Sequence, residues 1–264
     1  MKQRIITGLI LLPLLILYVY FANPTAFSVL ITLVAALALH EFLRMSLPDD
    51  RHPERLTALC LGTLLTLIVS FASSAVVLAS LVLLTLFWAV WFLFRFKDLT
   101  TVVSQYALVL LGLIYVPVLL GHMVLLHALD HGKAWIFFVM FLVMTSDSTA
   151  YFSGIRFGKR KLYPAISPNK SVEGAIGGLL GGVVASLVVR AWFFPALGLF
   201  DAVFLGIALG AASQVGDLFE SMLKRSFDVK DSGSIIPGHG GILDRLDSLL
   251  FAYPLAYYYA RYLF

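Results

Sequence analysis

The sequence predicts an all-α, polytopic integral membrane protein with about nine transmembrane helices and a cytoplasmic N-terminus. Three observations support this prediction: the hydropathy, the length of the apolar runs and the distribution of positive charge. The mean hydropathy is +0.94, and only 13% of the 264 residues are charged. An ordinary soluble protein of this size does not have such a composition, so we expect the chain in a bilayer.

Continuous apolar runs, without the alternation typical of strands, fill most of the chain. A hydrocarbon core about 30 Å thick requires about 20 apolar residues per helical span, and helices satisfy their own backbone hydrogen bonds in lipid. We predict nine spans, at residues 5–22, 26–43, 56–73, 75–94, 104–124, 135–154, 174–194, 200–221 and 248–264. No small-residue cleavage site follows the first run, so we interpret it as a retained span rather than a signal peptide.

Positive charge falls almost entirely on one side of this arrangement. Sixteen of the 19 Lys and Arg residues lie at the N-terminus or in the even-numbered loops, and the other side receives only Lys133, Arg190 and Arg261. The positive-inside rule therefore places the N-terminus in the cytoplasm and the C-terminus outside. The sequence pI near 9.2 then reflects topology and contact with anionic lipids, and we expect no nucleic-acid partner.

The domain organisation is expected to be simple, because the sequence has no long linker, repeat or low-complexity tract. We predict one transmembrane domain over 1–264, in which residues 1–130 pack and face lipid and residues 131–264 carry the functional spans and inner-face loops. Cys60 is the only cysteine, which excludes an intramolecular disulfide and a thiolate metal cluster. Glycines recur every four residues at 174, 178 and 182, a spacing typical of close helix packing.

Function is expected at two inner-face loops, 155–173 and 222–247. Both are longer than passive connectors need to be, and both are rich in Gly, Pro, Ser and charged residues. Glycines around His239 permit tight turns and a close approach of the backbone. Because this loop leads into a helix N-terminus, it can present N–H groups and a positive dipole end to phosphate. A hydrogen bond to the loop backbone is the competing interpretation of His239.

Four aspartates near the inner face form the second part of the expected site. Asp217 lies within an apolar helix, where a carboxylate is costly unless it faces a polar cavity or a partner. Asp244 and Asp247 share one face at the start of the last span, and Asp147 lies at a depth similar to that of Asp217. A buried ion pair or a helix-end role is the alternative for any one of them. Together, without paired Cys or His ligands, the carboxylates suit a hard cation such as Mg²⁺, and the two loops indicate a polyphosphate site.

Other polar residues have structural interpretations that we favour. The basic run at 159–161 fits the positive-inside rule, and the segment 154–160 is one residue short of a P-loop and lacks its Ser or Thr. His40 and Glu41 end the second span, where we favour anchoring at the membrane interface over a role in a site.

Two blocks of residues carry a family resemblance. The first contains Ser221-x-x-Lys224-Arg225, Lys230-Asp231-x-Gly233 and Pro237-x-His239-Gly240-Gly241-x-x-Asp244-Arg245-x-Asp247. The second runs from "SDSTAYFSGIRFGK" through "SPNKSVEG". Both resemble the phosphatidate cytidylyltransferases, also called CDP-diacylglycerol synthases. The resemblance covers roughly the C-terminal half, and the first five spans match only in being hydrophobic.

The resemblance implies an enzyme of phospholipid biosynthesis that converts CTP and phosphatidic acid to CDP-diacylglycerol and pyrophosphate. It implies Mg²⁺, with room for a second cation, at Asp217 and Asp244, and Asp147 is a further candidate ligand. The catalytic candidates are Asp217, Asp244, Lys224, Arg225 and Asp247. The substrate-binding candidates are Ser167, Lys170, Ser171, Ser221, Lys230, Asp231, His239, Gly240, Gly241 and Arg245.

The partners and location follow from these substrates. CTP is cytoplasmic and phosphatidic acid lies in the leaflet, so we expect a polar cavity among spans six, eight and nine, open to the inner face and to lipid. A multi-pass protein of the bacterial cytoplasmic (inner) membrane is expected, and a homodimer is allowed.

Two alternatives stay open. A CTP-dependent enzyme that acts on a polyprenol, phytol or ether-lipid acceptor fits a similar nucleotide loop, and the first five spans would decide the lipid. An ion-coupled transporter also places aspartates within the membrane. We disfavour the transporter because the charged residues cluster at one face and the outer halves of the spans are nearly uncharged.

Overall fold

The computed structural model describes residues 13–236, 238 and 240–264, which are mostly helical. Helix α1 comprises residues 13–21 in the described part of the chain. The other helices are α2 (Pro24–Ser46), α3 (His52–Phe71), α4 (Ser74–Arg95), α5 (Leu99–Leu113), α6 (Leu119–His127), α7 (Gly132–Phe157), α8 (Val172–Trp192), α9 (Leu199–Ser226) and α10 (Leu243–Tyr262). A 3₁₀ turn (Asp49–Arg51) precedes α3, and a π-helical segment (Ile114–Val118) links α5 to α6. The prediction of an all-α membrane fold is confirmed.

Seven helices among the described residues are long and apolar enough to cross a membrane. They correspond to predicted spans two to eight, and the fifth of these spans is formed by α5, the π-helical segment and α6 together. Residues 5–12 of the first predicted span lie outside the described residues, and most of the remainder forms helix α1. The ninth falls on α10, which is not among the seven because charged residues open it and tyrosines crowd its end. The count of about nine spans is therefore not confirmed.

A two-stranded antiparallel hairpin occupies the first inner-face loop, where the sequence predicted no strand. Its strands are β1 (Lys161–Tyr163) and β2 (Ser167–Ser171). Strands of three and five residues are too short to show a clear alternation of apolar and polar residues. The hairpin leads directly into α8, so it sets the positions of the polar residues at 167–171.

The chain divides into two compact units. The first contains Met1–Leu125 and Asp231–Asp244, and the second contains Leu126–Lys230 and Arg245–Phe264. In the first unit α2 packs against α3 and α5, and the fully buried side chains include Phe27, Leu39, Phe42 and Leu65. The single-domain organisation stays a prediction.

In the second unit, glycines allow α7, α8 and α9 to pack closely. A Cβ on Gly182 of α8 would lie 2.7 Å from the carbonyl oxygen of Gly206 in α9. On Gly174 and Gly178, an added Cβ would lie 2.9 Å and 3.0 Å from the backbone oxygen and the Cβ of Ala150 in α7. The predicted packing role of the glycines at 174, 178 and 182 is confirmed.

We expect Gly206→Ala to destabilise the protein and Gly210→Ala, in the same helix, to be tolerated. A Cβ at 206 would lie 2.6 Å from the Cα of Val183, whereas at 210 the nearest atom is Leu179 Cδ2, at 3.5 Å. Overpacking costs about 1–3 kcal/mol, and replacing a helical glycine by alanine contributes about 0.5–1 kcal/mol in the opposite direction. Thermal unfolding in detergent should give a lower Tm for Gly206→Ala and an unchanged or higher Tm for Gly210→Ala. Equal Tm values for the two variants would contradict the close helix packing.

Candidate active site

A cavity of about 340 Å³ lies in the second unit, lined by α7, the hairpin, α8 and α9. Its volume is at the lower end of the range for small-molecule sites, about 300–1,000 Å³. The polar lining includes Asp147, Ser167, Asn169, Lys170, Ser171, Gln214 and Asp217. We expected a cavity among spans six, eight and nine; this one lies against spans six, seven and eight, because the hairpin and α8 form a wall.

Two hydrogen bonds join helices next to the aspartates of this cavity. Ser146, the residue before Asp147, donates its hydroxyl to a carbonyl oxygen of α8 at 3.0 Å and so ties α7 to α8. Gln214, three residues before Asp217, donates its amide to another carbonyl oxygen of α8 at 3.0 Å. Both aspartates therefore extend from helices that are anchored close to them.

Asp147, Asp217 and Asp247 form an acidic cluster, in which the carboxylates lie close enough to interact electrostatically. Gly216 makes this possible, because a side chain there would collide with the backbone oxygen of Asp247. Helix α9 consequently approaches α10 next to Asp217. Ser221 donates its hydroxyl to Asp217 Oδ1 at 3.4 Å. The structure thus brings together four of the residues that the sequence singled out.

Lys170 makes an ion pair with this cluster. Its Nζ lies 2.7 Å from Asp217 Oδ2, and the two side chains are 29% and 32% exposed. Both residues line the cavity, but the Nζ atom itself is buried against Asp217. The sequence pointed to Lys170 as a phosphate contact, but the pairing with Asp217 was not foreseen.

Lys224 has a buried acidic partner, Glu220, for which the sequence analysis predicted no role. Its Nζ lies 2.7 Å from Oε2 of Glu220, whose side chain is fully buried. A Glu four residues before a Lys on a helix is a common stabilising pair, so the spacing could have identified this one. Glu220 holds the Lys224 ammonium group in a defined position one turn away from Ser221.

Several other predicted residues contact other parts of the chain or are exposed. Arg225 donates to the carbonyl oxygen of Val229 at 3.1 Å. Ser171 Oγ accepts a hydrogen bond from the Gly174 N–H at 3.1 Å and so caps α8. Lys230, Asp231 and Arg245 are exposed.

Glu173 holds the start of the first inner-face loop. Its carboxylate accepts hydrogen bonds from the backbone N–H groups of Lys159 and Arg160, at 3.0 Å and 3.2 Å, and from Arg160 Nε at 3.2 Å. These contacts tie the basic run to the first turn of α8, and the run therefore has a structural role of its own.

In the first unit, Asp244 is buried and holds the loop that precedes α10. Its Oδ2 accepts hydrogen bonds from the backbone N–H groups of Ser232, at 2.9 Å, and Gly241, at 2.8 Å. The sequence predicts a metal role for Asp244; the structure adds these loop contacts at Oδ2. Asp244 belongs to the first unit, whereas Asp217 belongs to the second.

Two glycines of this loop are required by its geometry. Gly240 has a φ of +82°, in the left-handed region that favours glycine, and a Cβ there would lie 2.7 Å from Asp244 Oδ2. At Gly241, a side chain would collide with the Ser232 hydroxyl and with the carboxylate of Glu41. His239 lies outside the described residues, so its role stays a prediction.

Glu41 is the functional candidate that sequence reasoning missed. We predicted an anchor at the membrane interface, but the residue is buried near the end of α2, and its carboxylate contacts the loop before α10. The interface interpretation is therefore wrong. Its partner Ser232 is 191 residues away along the chain. A single sequence has no local pattern that reveals such a contact.

Comparisons with known proteins identify the family of this chain. A family model described as "Cytidylyltransferase family" matches residues 2–263. The phosphatidate cytidylyltransferase of Bacillus subtilis (strain 168) is 36% identical over 262 residues, which cover 98% of this chain and 97% of that protein. The protein of the same name from Staphylococcus saprophyticus is 44% identical over 149 residues, 56% of each chain. The one from Haemophilus influenzae is 47% identical over 133 residues, 49% of this chain and 46% of that protein.

The likeness extends beyond the two blocks of the C-terminal half. Because the family model and the Bacillus subtilis protein match almost from end to end, the statement that the first five spans match only in being hydrophobic was wrong. This chain belongs to the cytidylyltransferase family.

Proposed function

We propose that this multi-pass membrane protein is an enzyme that transfers the cytidylyl group of CTP to phosphatidic acid. The products are CDP-diacylglycerol and pyrophosphate. The observation that carries the proposal is the end-to-end similarity to a phosphatidate cytidylyltransferase. The cavity with its acidic cluster and Lys170 supports it, because such groups suit phosphate chemistry.

The reaction needs charge stabilisation more than proton transfer. A phosphate oxygen of phosphatidic acid attacks the α-phosphorus of CTP, the bond from that phosphorus to the bridging oxygen breaks, and pyrophosphate leaves with the electron pair. The lipid phosphate is already deprotonated near neutral pH, so the enzyme requires no strong general base. Positioned cations and hydrogen-bond donors are therefore its main catalytic tools.

The basic residues supply part of that charge in the proposal. Lys170 lines the cavity beside Asp217 with its Nζ buried, and a phosphate group bound there offers its ammonium a second anionic partner. Lys224 is held by Glu220, which defines its position without a bound substrate. Exposed basic residues then neutralise CTP or the lipid phosphate: Arg225, Lys230 and Arg245.

The donor set of the acidic cluster fits Mg²⁺. Carboxylate and hydroxyl oxygens are the ligands that a hard cation prefers. Three carboxylates and the Lys170 ammonium group leave a formal charge of −2, which a divalent ion balances. Within the described ranges, no three His, Cys, Asp or Glu side chains are arranged to hold one ion. The protein would thus give one or two carboxylates, and phosphate and water the rest, as is usual for Mg²⁺.

Asp217 is the principal proposed ligand, with Asp147 or Asp247 beside it. A metal role for Asp244 stays a prediction from the family motif, in addition to its loop contacts. When bound, the ion would neutralise the nucleotide phosphates and the charge that develops on pyrophosphate. A second cation stays a prediction.

The proposed location is the bacterial cytoplasmic (inner) membrane, with the site facing the cytoplasm. The bias of Lys and Arg to one side supports this orientation, and CTP is available only there. A homodimer also stays a prediction. Light scattering of the detergent-purified protein measures its mass and so tests for a dimer.

The choice of acceptor and the need for a metal can be tested in one assay. With CTP and Mg²⁺, the purified protein should release pyrophosphate when phosphatidic acid is added, and chelation by EDTA should stop the release. Polyprenol or phytol should give no product. Release of CDP with either alcohol, or a strict requirement for an ether-linked phosphatidic acid, would favour the alternative acceptors. Full activity in EDTA would contradict the metal proposal.

A further inference from the structure

Glu41 receives three hydrogen bonds from a loop that is remote in sequence. The Ser232 hydroxyl donates to Oε2 at 3.1 Å, the Ile242 N–H to Oε1 at 3.1 Å and the Leu243 N–H to Oε2 at 2.9 Å. The residue is only 3% exposed. A buried carboxylate is stable only when it is paired or well hydrogen-bonded, and these donors meet that requirement.

The three donors lie at the two ends of the loop. Ser232 begins it, whereas Ile242 and Leu243 lie where α10 starts. Glycines on the same segment bring the backbone against the carboxylate, since a Cβ on Gly233 or Gly241 would lie 2.7 Å from Glu41 Cδ. Glu41 thus holds both ends of the loop in a fixed relation to α2.

The first N–H groups of a helix have no intrahelical partner. Glu41 occupies two of these groups at the start of α10 with its own negative charge, which the helix dipole favours. These two groups are consequently not available to a phosphate. The backbone of Gly241, the residue before them, lies against the same carboxylate.

We infer that Glu41 is a positioning residue for the nucleotide: it holds the two ends of the loop, at 232–233 and 241–243, in the arrangement that receives the phosphates of CTP. This inference rests on the proposed function, with CTP as the substrate, and on the prediction from the sequence that this glycine loop receives phosphate. Glu41 itself touches no reacting atom. A purely structural role for Glu41 would change stability and leave the recognition of CTP unaltered.

The chain offers a matched control in Glu54. It is also 3% exposed and in the first unit, but its Oε1 accepts hydrogen bonds from Arg51, at 3.4 Å, and from Trp91 Nε1, at 3.2 Å. Glu54→Gln therefore removes an equally buried charge that holds other partners. In Glu41→Gln, the amide group must face an N–H of the loop, so donor meets donor and the loop shifts.

We expect Glu41→Gln to raise the KM for CTP by about tenfold or more and to lower kcat/KM by about 10- to 100-fold, because misplacement by about 1 Å has effects of this size. The KM for phosphatidic acid should be unchanged. Glu54→Gln should keep the wild-type kinetic constants even where its Tm falls. Wild-type CTP kinetics in folded Glu41→Gln, or equal kinetic losses in both variants, would overturn the inference.

Hydrogen exchange gives a readout that does not depend on turnover. Amide exchange in peptides that contain Ile242 and Leu243 should be faster in Glu41→Gln than in wild type, and unchanged in Glu54→Gln. Unchanged exchange in Glu41→Gln would overturn the inference. If that variant does not fold, Ser232→Ala is the second test, because it removes one of the three contacts with Glu41. Ser232→Ala should raise the KM for CTP by a smaller factor. A wild-type KM in Ser232→Ala would overturn the inference.

The wild-type control separates this inference from the proposed function. A folded wild type that transfers no cytidylyl group to phosphatidic acid rejects the proposed function. An active wild type with unaltered kinetics in the Glu41 variant rejects only the role of Glu41.

Discussion

Asp217→Asn is expected to lower kcat by about 10³-fold while the protein stays folded. Asparagine has the size of aspartate but lacks the charge that a divalent cation requires. A bound metal ion contributes several kcal/mol to stabilisation of charge in the transition state, and about 1.4 kcal/mol corresponds to a factor of ten in rate. The ion pair with Lys170, at 2.7 Å, is lost as well. Initial rates with CTP and phosphatidic acid measure the effect.

Asp201→Asn is the control in the same helix. Asp201 Oδ1 accepts a hydrogen bond from the Tyr259 hydroxyl at 2.6 Å, and its Oδ2 accepts one from the Gly198 N–H at 3.2 Å. Loss of this carboxylate should lower Tm and leave kcat at the wild-type value. Near-normal kcat in Asp217→Asn would remove Asp217 from the metal site.

Asp244→Asn is expected to lower kcat/KM by about 10²-fold or more, on the same scale as loss of one strong electrostatic contact in other active sites. Asparagine can still accept, through its amide oxygen, the hydrogen bonds that Ser232 and Gly241 donate to Oδ2. The loop should therefore persist, and the loss in activity reports on the charge. Asp244→Ala removes the hydrogen bonds as well and should also lower Tm.

The comparison of these two variants separates charge from loop geometry. Kinetics at several Mg²⁺ concentrations should show a weaker response to Mg²⁺ in Asp244→Asn than in wild type. If Asp244→Asn retains wild-type activity and only Asp244→Ala is impaired, then Asp244 serves the loop and is not a metal ligand.

Much of the fold was predictable because its determinants are local. Apolar runs of about 20 residues gave spans two to eight, and glycines at 174, 178 and 182 indicated the close packing of α8. The hairpin was missed because its strands are too short to show a period. Helix α10 was predicted as a span, but its charged start and its tyrosines keep it out of the set of clearly apolar helices.

The candidate site was predictable where a residue conflicts with its surroundings. Asp147 and Asp217 stood out as charges in apolar helices, and they do share an acidic cluster. The ion pair between Glu220 and Lys224 was recognisable from their spacing of four residues, but it was not predicted. Glu41 was not recognisable, because its partners are determined by tertiary packing between α2 and a loop near the C-terminus.

The most direct test of the central claim follows the phosphorus atoms of CTP. Detergent-purified wild type is incubated with phosphatidic acid, Mg²⁺ and CTP labelled either at the α- or at the γ-phosphate. Cytidylyl transfer predicts that the α-label enters the lipid phase and that the γ-label appears only in pyrophosphate. Entry of the γ-label into lipid, or of neither label in a folded sample that binds CTP, would contradict it.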